Sequence, residues 1–236
     1  MVQLSERLKA IAGQVVEGKT AADIGTDHAL VPIYLLERGL VPRTILSDSR
    51  EGPLQKACKN LSEAGIALDP GDLRKGDGLR ILENGEAATV IIAGMGGLLI
   101  TGILSDDLYK SLSFERLVLQ PRTAAADLRR WLTKNGFMIT RDQLTTEGRR
   151  QCEVITAEPR GSRTRQDLAW TDLDYEISPL LIQGKDPGIK RFIEDKIRES
   201  RSISRCLESS RDPDAQEQIG KMKERIRKLV ERKALL

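Results

Sequence analysis

Two carboxylates on either side of a glycine, near the start of the chain, are the first residues that suggest chemistry. Residues 20–28 begin as a short apolar strand and turn at Gly25, with Asp23 before the turn and Asp27 after it. Pro32 then suits the first turn of a helix. Because ligands of open α/β sheets bind beyond the carboxyl ends of the strands, this turn is predicted to contact a ligand.

The charge of this turn favours a cationic ligand. A dinucleotide-binding turn has the pattern Gly-x-Gly-x-x-Gly, whereas here Gly25 is followed by Thr26, Asp27 and His28. Two carboxylates would repel a pyrophosphate, but they suit S-adenosylmethionine, which carries a sulfonium and an ammonium and no phosphate. We therefore expect S-adenosylmethionine rather than NAD, the alternative being a surface turn with solvated acids.

Two further acidic turns follow at positions that suit a nucleoside. Asp48, with Ser49 beside it, ends a second predicted strand, and an acid roughly twenty residues after the first turn hydrogen-bonds ribose hydroxyls in nucleotide-type sheets. Asp77 and Gly78 follow a short third strand, where a carboxylate could reach the exocyclic amine of an adenine. The alternatives are a helix cap at Asp48 and a type I′ turn at Asp77.

A glycine-rich turn follows the clearest buried strand of the sequence. Residues 89–93 are apolar or β-branched throughout and lead into Gly94, Met95, Gly96 and Gly97. The bare backbone permits positive φ and the close approach of a flat ligand. A tightly packed strand-to-helix turn is the alternative, but three glycines in four residues favour a ligand contact.

The remaining patterns supply an alternating framework that would bring these turns together. The fifth strand ends in polar groups at Gln120, and Gly136 is a helix-stop signal. The pattern predicts an α/β fold with a doubly wound, mostly parallel sheet. Strands are predicted at 20–25, 44–48, 72–76, 89–93, 117–122, 137–144 and 152–157, helices at 4–16, 53–64 and 124–135, and a loop at 145–151.

A basic stretch surrounds and follows the fifth strand. Residues 116–150 hold eight Lys/Arg against three Asp/Glu. On one rim of the site these cations would suit phosphate contacts, although a solvated face would have the same composition. The candidate phosphate contacts are Arg122, Arg129, Arg130 and Lys134, with Arg149 and Arg150 beyond them.

The composition changes after residue 159, where we place a domain boundary. Residues 1–159 carry 20 Lys/Arg and 21 Asp/Glu, a net charge of −1, whereas residues 160–236 carry 18 and 14, a net charge of +4. Helical segments at 188–209 and 214–233, with apolar residues at three-four spacing, predict an antiparallel coiled-coil hairpin. Its charge suits a polyanionic partner or a solvated surface equally.

The bulk composition carries no membrane or metal signal. No apolar run approaches the roughly eighteen residues that a bilayer span needs, and residues 1–7 lack the apolar core of a secretion signal. We therefore expect a cytoplasmic protein. Cys58, Cys152 and Cys206 form no C-x-x-C pair, so we expect reduced thiols and no metal site.

Taken together, these motifs resemble the bacterial tRNA (adenine-22-N1)-methyltransferase family over most of the chain. The most specific stretches are residues 22–29 and 92–97, since a generic methyltransferase has a glycine-richer first turn and lacks Gly-Met-Gly-Gly. Shorter matching stretches lie at 7–12, 32–34, 52–57, 76–79, 119–121, 128–132 and 135–137.

The resemblance implies a Rossmann-like domain that binds S-adenosylmethionine, followed by a C-terminal coiled-coil hairpin. Arg7 would pair with the cofactor carboxylate, Asp48 would hold the ribose, and Asp77 would contact the adenine. The full set of implied cofactor contacts is Arg7, Asp23, Gly25, Thr26, Asp27, His28, Asp48, Ser49, Asp77, Gly78, Ala93 and Gly94.

The chemistry that the resemblance implies needs little beyond positioning. Adenine N1 carries a free lone pair, so no strong base is required, but N1 lies on the pairing edge and the base must first be turned out. Carbonyls at Ala93 and Gly94 could accept from the N6 amine, Gln120 could add a polar contact, and Met95 could pack on the base. Asp27 could stabilise the positive charge that moves from sulfur to the ring.

One departure separates this chain from amino-group methyltransferases. Those proteins carry an Asn/Asp-Pro-Pro-aromatic element where this chain has Ala-Gly-Met-Gly, so no side-chain amide is available at residues 93–96. The rival hypotheses are a methyltransferase on a small molecule or protein, and a catalytically silent tRNA-binding module. We expect a monomer, with self-association through the coiled coil as the alternative.

Overall fold

Seven strands form one sheet in the order β3-β2-β1-β4-β5-β7-β6. The strands β1 to β5 are mutually parallel, and β7 runs antiparallel to both β5 and β6. The α/β, doubly wound, mostly parallel fold predicted from the sequence is therefore confirmed. The strands are β1 (Ala21–Ile24), β2 (Thr44–Asp48), β3 (Leu73–Lys75), β4 (Thr89–Met95), β5 (Arg116–Pro121), β6 (Phe137–Glu147) and β7 (Arg150–Pro159).

The computed structural model describes residues 2–161, 170–209 and 214–236. The chain divides into two units, Met1–Leu168 and Ala169–Leu236. Residues 162–169 lie outside the described part, so the boundary expected at 159/160 stays a prediction.

Helices pack on the sheet of the first unit through buried apolar residues. Ile11 of the first helix, Leu35 of the second and Leu104 of the fourth are fully buried. The predicted helix at 4–16 is shorter than expected, because Gly13 ends it and caps its last carbonyls. The helices are α1 (Glu6–Ala12), α2 (Leu30–Glu37), α3 (Glu51–Glu63), α4 (Gly97–Asp106), α5 (Leu108–Ser111) and α6 (Ala125–Lys134).

The expected loop at 145–151 is wrong. These residues continue β6 and begin β7, with Thr145 opposite Cys152 and Glu147 opposite Arg150. Only a two-residue turn separates the strands, as in tight β-hairpins. The polar composition was misleading because β6 is an edge strand, and an edge strand tolerates charged and hydroxyl side chains on its exposed face.

The second unit contains the predicted helical hairpin. Its helices are α7 (Asp172–Glu176), α8 (Pro179–Gln183), α9 (Ile189–Glu208) and α10 (Ala215–Ala234). Ile193 and Leu229 are fully buried, on α9 and α10 respectively. Lys233, near the end of α10, pairs with Glu194, near the start of α9, over 2.6 Å, so the two helices run antiparallel. None of the described helices is long and apolar enough to cross a membrane.

Candidate active site

The first turn of the sheet is held between β1 and β2. The backbone N–H groups of Gly25 and Thr26 both donate to the Ser47 carbonyl, over 2.7 and 2.8 Å. Gly25 has φ +78°, a conformation in which a side chain would be strained. The turn therefore has a fixed geometry at the carboxyl edge of the sheet, where the sequence predicted it.

The surroundings of Asp23 in this turn shift the pKa of its carboxyl group. It is partly buried, and loss of solvent raises its pKa to about 6, an effect that the nearby Thr26 hydroxyl opposes. A cationic ligand group would stabilise the ionised form of this carboxylate. The Thr26 and Ser47 hydroxyl oxygens are buried without a hydrogen-bond partner of ordinary length in the described part of the chain. Unpartnered buried hydroxyls beside such a carboxylate fit a polar, positively charged cofactor.

Asp27 and His28 lie on the exposed side of the same turn. Asp27 Oδ1 accepts from Lys56 Nζ over 3.2 Å, and Asp27 Oδ2 lies 3.2 Å from His28 Nε2. Asn60 Nδ2 donates to the His28 carbonyl over 2.9 Å. Helix α3 therefore orients both residues through Lys56 and Asn60, a role that the local sequence did not signal because the pairs are distant along the chain.

Asp48 is nearly buried, at the end of β2. Its Oδ1 accepts from the Arg50 backbone N–H over 2.8 Å, which is a turn contact at the start of α3. This local bond is the alternative that the sequence left open, and the ribose role of Asp48 stays a prediction. Ser49 beside it is exposed.

Asp77 and Gly78 lie close to the end of β2. The Gly76 N–H donates to the Asp48 carbonyl over 3.1 Å, which ties the turn after β3 to Asp48. Asp77 makes no capping bond to the short helical turn Gly78–Ile81. The two acidic turns that the sequence predicted to meet are therefore neighbours. The carboxylate of Asp77 does not cap the start of the helical turn that follows it.

Gly94 and Gly97, in the glycine-rich turn after β4, have different structural roles. At Gly97, a Cβ would overlap the Ala124 carbonyl, and the Gly97 N–H donates to Thr123 O over 2.8 Å, so this glycine serves close packing. Gly94 has φ +80°, lies at a bulge of the β4–β5 pairing, and has no atom within 4 Å of where a Cβ would stand. Gly94 is therefore the glycine that a flat ligand can approach.

Met95 spans the distance between this turn and the first one. Its terminal methyl group lies directly over Gly25, where any Cβ would collide with it. Its backbone carbonyl accepts from Arg122 N over 2.7 Å. The predicted site residues at the ends of β1, β4 and β5 are thus in mutual contact.

Gln120 and Arg7 form a pair that the sequence did not foresee. Arg7 Nη1 donates to Gln120 Oε1 over 3.1 Å, and Arg7 Nε donates to Glu147 Oε1 over 2.8 Å. Gln120 Nε2 in turn donates to the Pro121 carbonyl over 3.0 Å. The guanidinium therefore already has a carboxylate partner, and its predicted pairing with a cofactor carboxylate stays a prediction.

Arg129 is a correction to the predicted RNA-binding set. It is fully buried and forms ion pairs with Asp142 over 2.7 Å and with Glu153 over 2.6 Å. A side chain enclosed by α6, β6 and β7 cannot contact a phosphate. Its neighbours on α6, Leu128 and Leu132, are fully buried too, so this helix face lies against the sheet.

The other three basic candidates lie at separate places, one just beyond β5 and two on α6, rather than on one rim. Arg122 is exposed just beyond β5, beside the Met95 turn. Arg130 pairs with Asp127 over 3.2 Å, and Lys134 is exposed at the far end of the helix. Of these three residues, only Arg122 lies next to the predicted cofactor turns, so it is the strongest phosphate contact among them.

These features together define a class of protein. The sheet order, the acidic glycine turn after β1, the acid after β2 and the open Gly94 after β4 fit a Rossmann-like domain for a nucleoside cofactor that lacks a pyrophosphate. Residues 4–155 match the family model described as a methyltransferase domain.

Comparison with relatives shows which kind of methyltransferase the chain resembles. The chain is 28% identical over 235 residues to the tRNA (adenine(22)-N(1))-methyltransferase of Bacillus subtilis, covering 100% of this chain and 96% of that one. The crystal structure of the B. subtilis M1A22 tRNA methyltransferase TrmK is 27% identical, with a TM-score of 0.85 over 98% of this chain and 99% of that one. A Streptococcus pneumoniae protein provisionally assigned as a tRNA (m1A22) methyltransferase, in complex with S-adenosyl-L-methionine, is 31% identical, with a TM-score of 0.75 over 94% and 99%. The chain belongs to the bacterial tRNA (adenine-22-N1)-methyltransferase family, whose members depend on S-adenosylmethionine.

Proposed function

We propose that this protein transfers the methyl group of S-adenosylmethionine to N1 of an adenine in tRNA, at position 22. Family membership supports the proposal. The observation that carries it is the turn after β1, where Asp23 and Asp27 stand on either side of Gly25. On the turn after β4, Gly94 has no atom within 4 Å of where a Cβ would stand. Such a site favours a positively charged, phosphate-free donor beside a flat acceptor.

The cofactor supplies an electrophilic methyl group next to positive charge, and the protein's residues hold the partners in line. Asp23, ionised above a pKa of about 6, binds the ammonium end. Asp48 and Asp77 are the proposed contacts to the ribose and the adenine. The buried Ser47 hydroxyl, which has no hydrogen-bond partner among the described residues, is available for a further polar contact.

Adenine N1 has a free lone pair, so the protein needs no general base for the transfer. Its contribution is orientation, which can lower a barrier by several kcal/mol, about 7–11 at the limit, when the reacting atoms are held in line. We assign the acceptor position to the open backbone at Gly94, with the thioether of Met95 and the amide of Gln120 as the neighbouring contacts. Asp27 provides negative charge near the ring that becomes cationic.

Contacts to the tRNA backbone are proposed at Arg122, on the site edge. Its side chain is exposed and carries no ion pair within the described residues. Arg130 and Lys134 extend the positive charge along α6. A tRNA substrate implies that the protein acts in the cytoplasm, which we propose as its location.

Methyl transfer to tRNA tests this function directly. Isotopically labelled S-adenosylmethionine is incubated with the protein and tRNA that lacks the modification, and the digested nucleosides are analysed by mass spectrometry. We expect labelled N1-methyladenosine with the native protein and none with Asp23→Ala, while Tyr109→Ala, an exposed site on α5, serves as the matched control. Label in small molecules or protein, with none in tRNA, would instead favour the rival methyltransferase hypothesis.

A further inference from the structure

Two leucines stand exposed on the first turn of α4, directly after the glycine-rich turn. Leu98 is 67% exposed and Leu99 is 57% exposed, whereas Ile100 and Leu104 on the opposite face of the helix are completely buried. Single exposed leucines are common on protein surfaces. An adjacent pair at the mouth of a ligand site is a candidate contact surface.

The backbone that carries these leucines is held in place. Gly97 packs against the carbonyls of Thr123 and Ala124 so closely that no Cβ could be accommodated. The Met95 carbonyl accepts from Arg122 N over 2.7 Å. The first turn of α4 is therefore fixed against the turn after β5, and the two leucines project from a rigid base beside Met95.

The substrate chemistry of the proposed function gives an apolar pair at this place a use. Because N1 lies on the pairing edge of adenine, the base must leave its stack before it can react. Proteins that open a duplex commonly insert Leu, Met, Ile or Phe side chains between bases. The stretches 23–28, 48–49, 77–78, 93–99 and 120–123 contain no Phe, Trp or Tyr, and their one aromatic ring, His28, lies 3.2 Å from Asp27 on the turn after β1. Leu98 and Leu99 are the large apolar side chains that these stretches expose.

The charge beside the leucines matches the same partner. Arg122 is exposed next to them, and Arg150 Nη2 donates to the Arg122 carbonyl over 2.7 Å, which brings a second guanidinium to this edge. Cations around an apolar pair fit a polyanion that also presents base faces, since phosphates bind the cations and unstacked bases bind the apolar groups.

We propose that Leu98 and Leu99 form a wedge that enters the base stack of the tRNA and holds the target adenine out of it. This inference rests on the proposed function and adds the surface that opens the substrate. The wedge acts on the RNA only, and binding of S-adenosylmethionine does not depend on it.

The test compares two tRNA transcripts, one with the target adenine paired and one in which its partner base is changed so that it is unpaired. For Leu98→Ala and Leu99→Ala we expect about a tenfold loss of kcat/KM on the paired transcript, the effect of removing one buried apolar contact. On the unpaired transcript the loss in kcat/KM should be about threefold or less, because the target adenine is already unpaired and less free energy is needed to unstack it. Tyr109→Ala, 88% exposed on α5, is the control and should change neither value.

A fluorescence measurement supports the same comparison without turnover. With 2-aminopurine at the target position, native protein should raise the emission by unstacking the base, and the leucine variants should raise it less at equal saturation. Equal losses on both transcripts, or no loss on either, would overturn the wedge while leaving the proposed function intact. If the native protein methylates neither transcript, the proposed function fails and the wedge fails with it.

Discussion

Arg7 on α1 donates through Nη1 to Gln120 Oε1 at the end of β5, over 3.1 Å. Since Arg7 also pairs with Glu147 at the tip of the β6–β7 hairpin, one guanidinium connects three elements at the site edge. The contact fixes the orientation of the Gln120 amide, whose Nε2 then donates to the Pro121 carbonyl. We propose that Arg7 is a positioning residue for Gln120.

Arg7→Ala tests this role against direct cofactor binding. We expect kcat to fall by about tenfold to a hundredfold, because one positioning hydrogen bond to a charged group is worth roughly 1.5–3 kcal/mol. The Kd for S-adenosylmethionine, measured by calorimetry, should change less than about threefold. Glu147→Gln, which keeps the shape of the side chain, is the matched control. A cofactor Kd weakened about tenfold or more at unchanged kcat would show that Arg7 binds the cofactor carboxylate instead.

Cofactor binding should depend on pH through Asp23. Its folded-state pKa is raised to about 6 by burial, so the carboxylate is protonated below that pH and loses its attraction for the ammonium group. We expect the affinity for S-adenosylmethionine to be constant above pH 7 and to fall by up to about tenfold per pH unit below pH 6. Calorimetric titrations at several pH values measure this.

Asp23→Asn provides the control for that profile. It should bind the cofactor weakly at every pH and show a flat profile between pH 5 and 8, since the titrating group is gone. A variant with the native pH dependence would assign the titration to another residue.

The glycines after β4 should respond differently to the same substitution. Gly97→Ala should destabilise the fold by several kcal/mol, about 2–4, because the added methyl group overlaps the Ala124 backbone. Gly94→Ala places its methyl group in open space and costs about 1–2 kcal/mol of backbone strain, but it should abolish most activity. Urea unfolding and a methyl-transfer assay on both variants separate packing from ligand contact. Full activity in Gly94→Ala would remove Gly94 from the site.

Arg129→Ala should lower stability and leave the RNA-binding surface unaltered. The substitution removes the guanidinium that forms ion pairs with the buried Asp142 and the nearly buried Glu153, and loss of one partner of a buried ion pair costs about 3–5 kcal/mol. Arg122→Ala, at an exposed site, should change the free energy of unfolding by less than about 0.5 kcal/mol. In the same pair of variants, only Arg122→Ala should reduce the salt dependence of tRNA binding, by about one unit of slope. An Arg129 variant of native stability would contradict the assignment.

The sequence predicts the strands and turns well where they depend on residues that are close together along the chain. Apolar, β-branched residues such as Ile91 and Ile92 are completely or almost completely buried in β4, and the turn at Gly25 adopts the conformation that its glycine suggested. Asp77 lies beside Asp48 because parallel strands place their carboxyl ends on one edge. The order of motifs along the chain therefore predicts which turns lie together at this edge of the sheet.

The features that the sequence missed depend on contacts between distant segments. Arg129 is followed three residues later by the buried Leu132 and lies on the same helix face, but its burial requires two acids from β6 and β7 that no local pattern links to it. The same is true of Lys56 with Asp27 and of Arg7 with Gln120. The continuation of β6 through Thr145 was missed because polar edge strands carry little hydrophobic periodicity.

The most direct test of the whole account is the position of the methyl group in tRNA. An N1-methyl group blocks the pairing edge, so reverse transcription of a treated tRNA should stop one nucleotide before position 22, only when S-adenosylmethionine is present. We expect this reverse-transcription stop with the native protein. The stop should disappear when position 22 is changed to another base. A stop at a different adenine, or none on any tRNA that the protein binds, would contradict it.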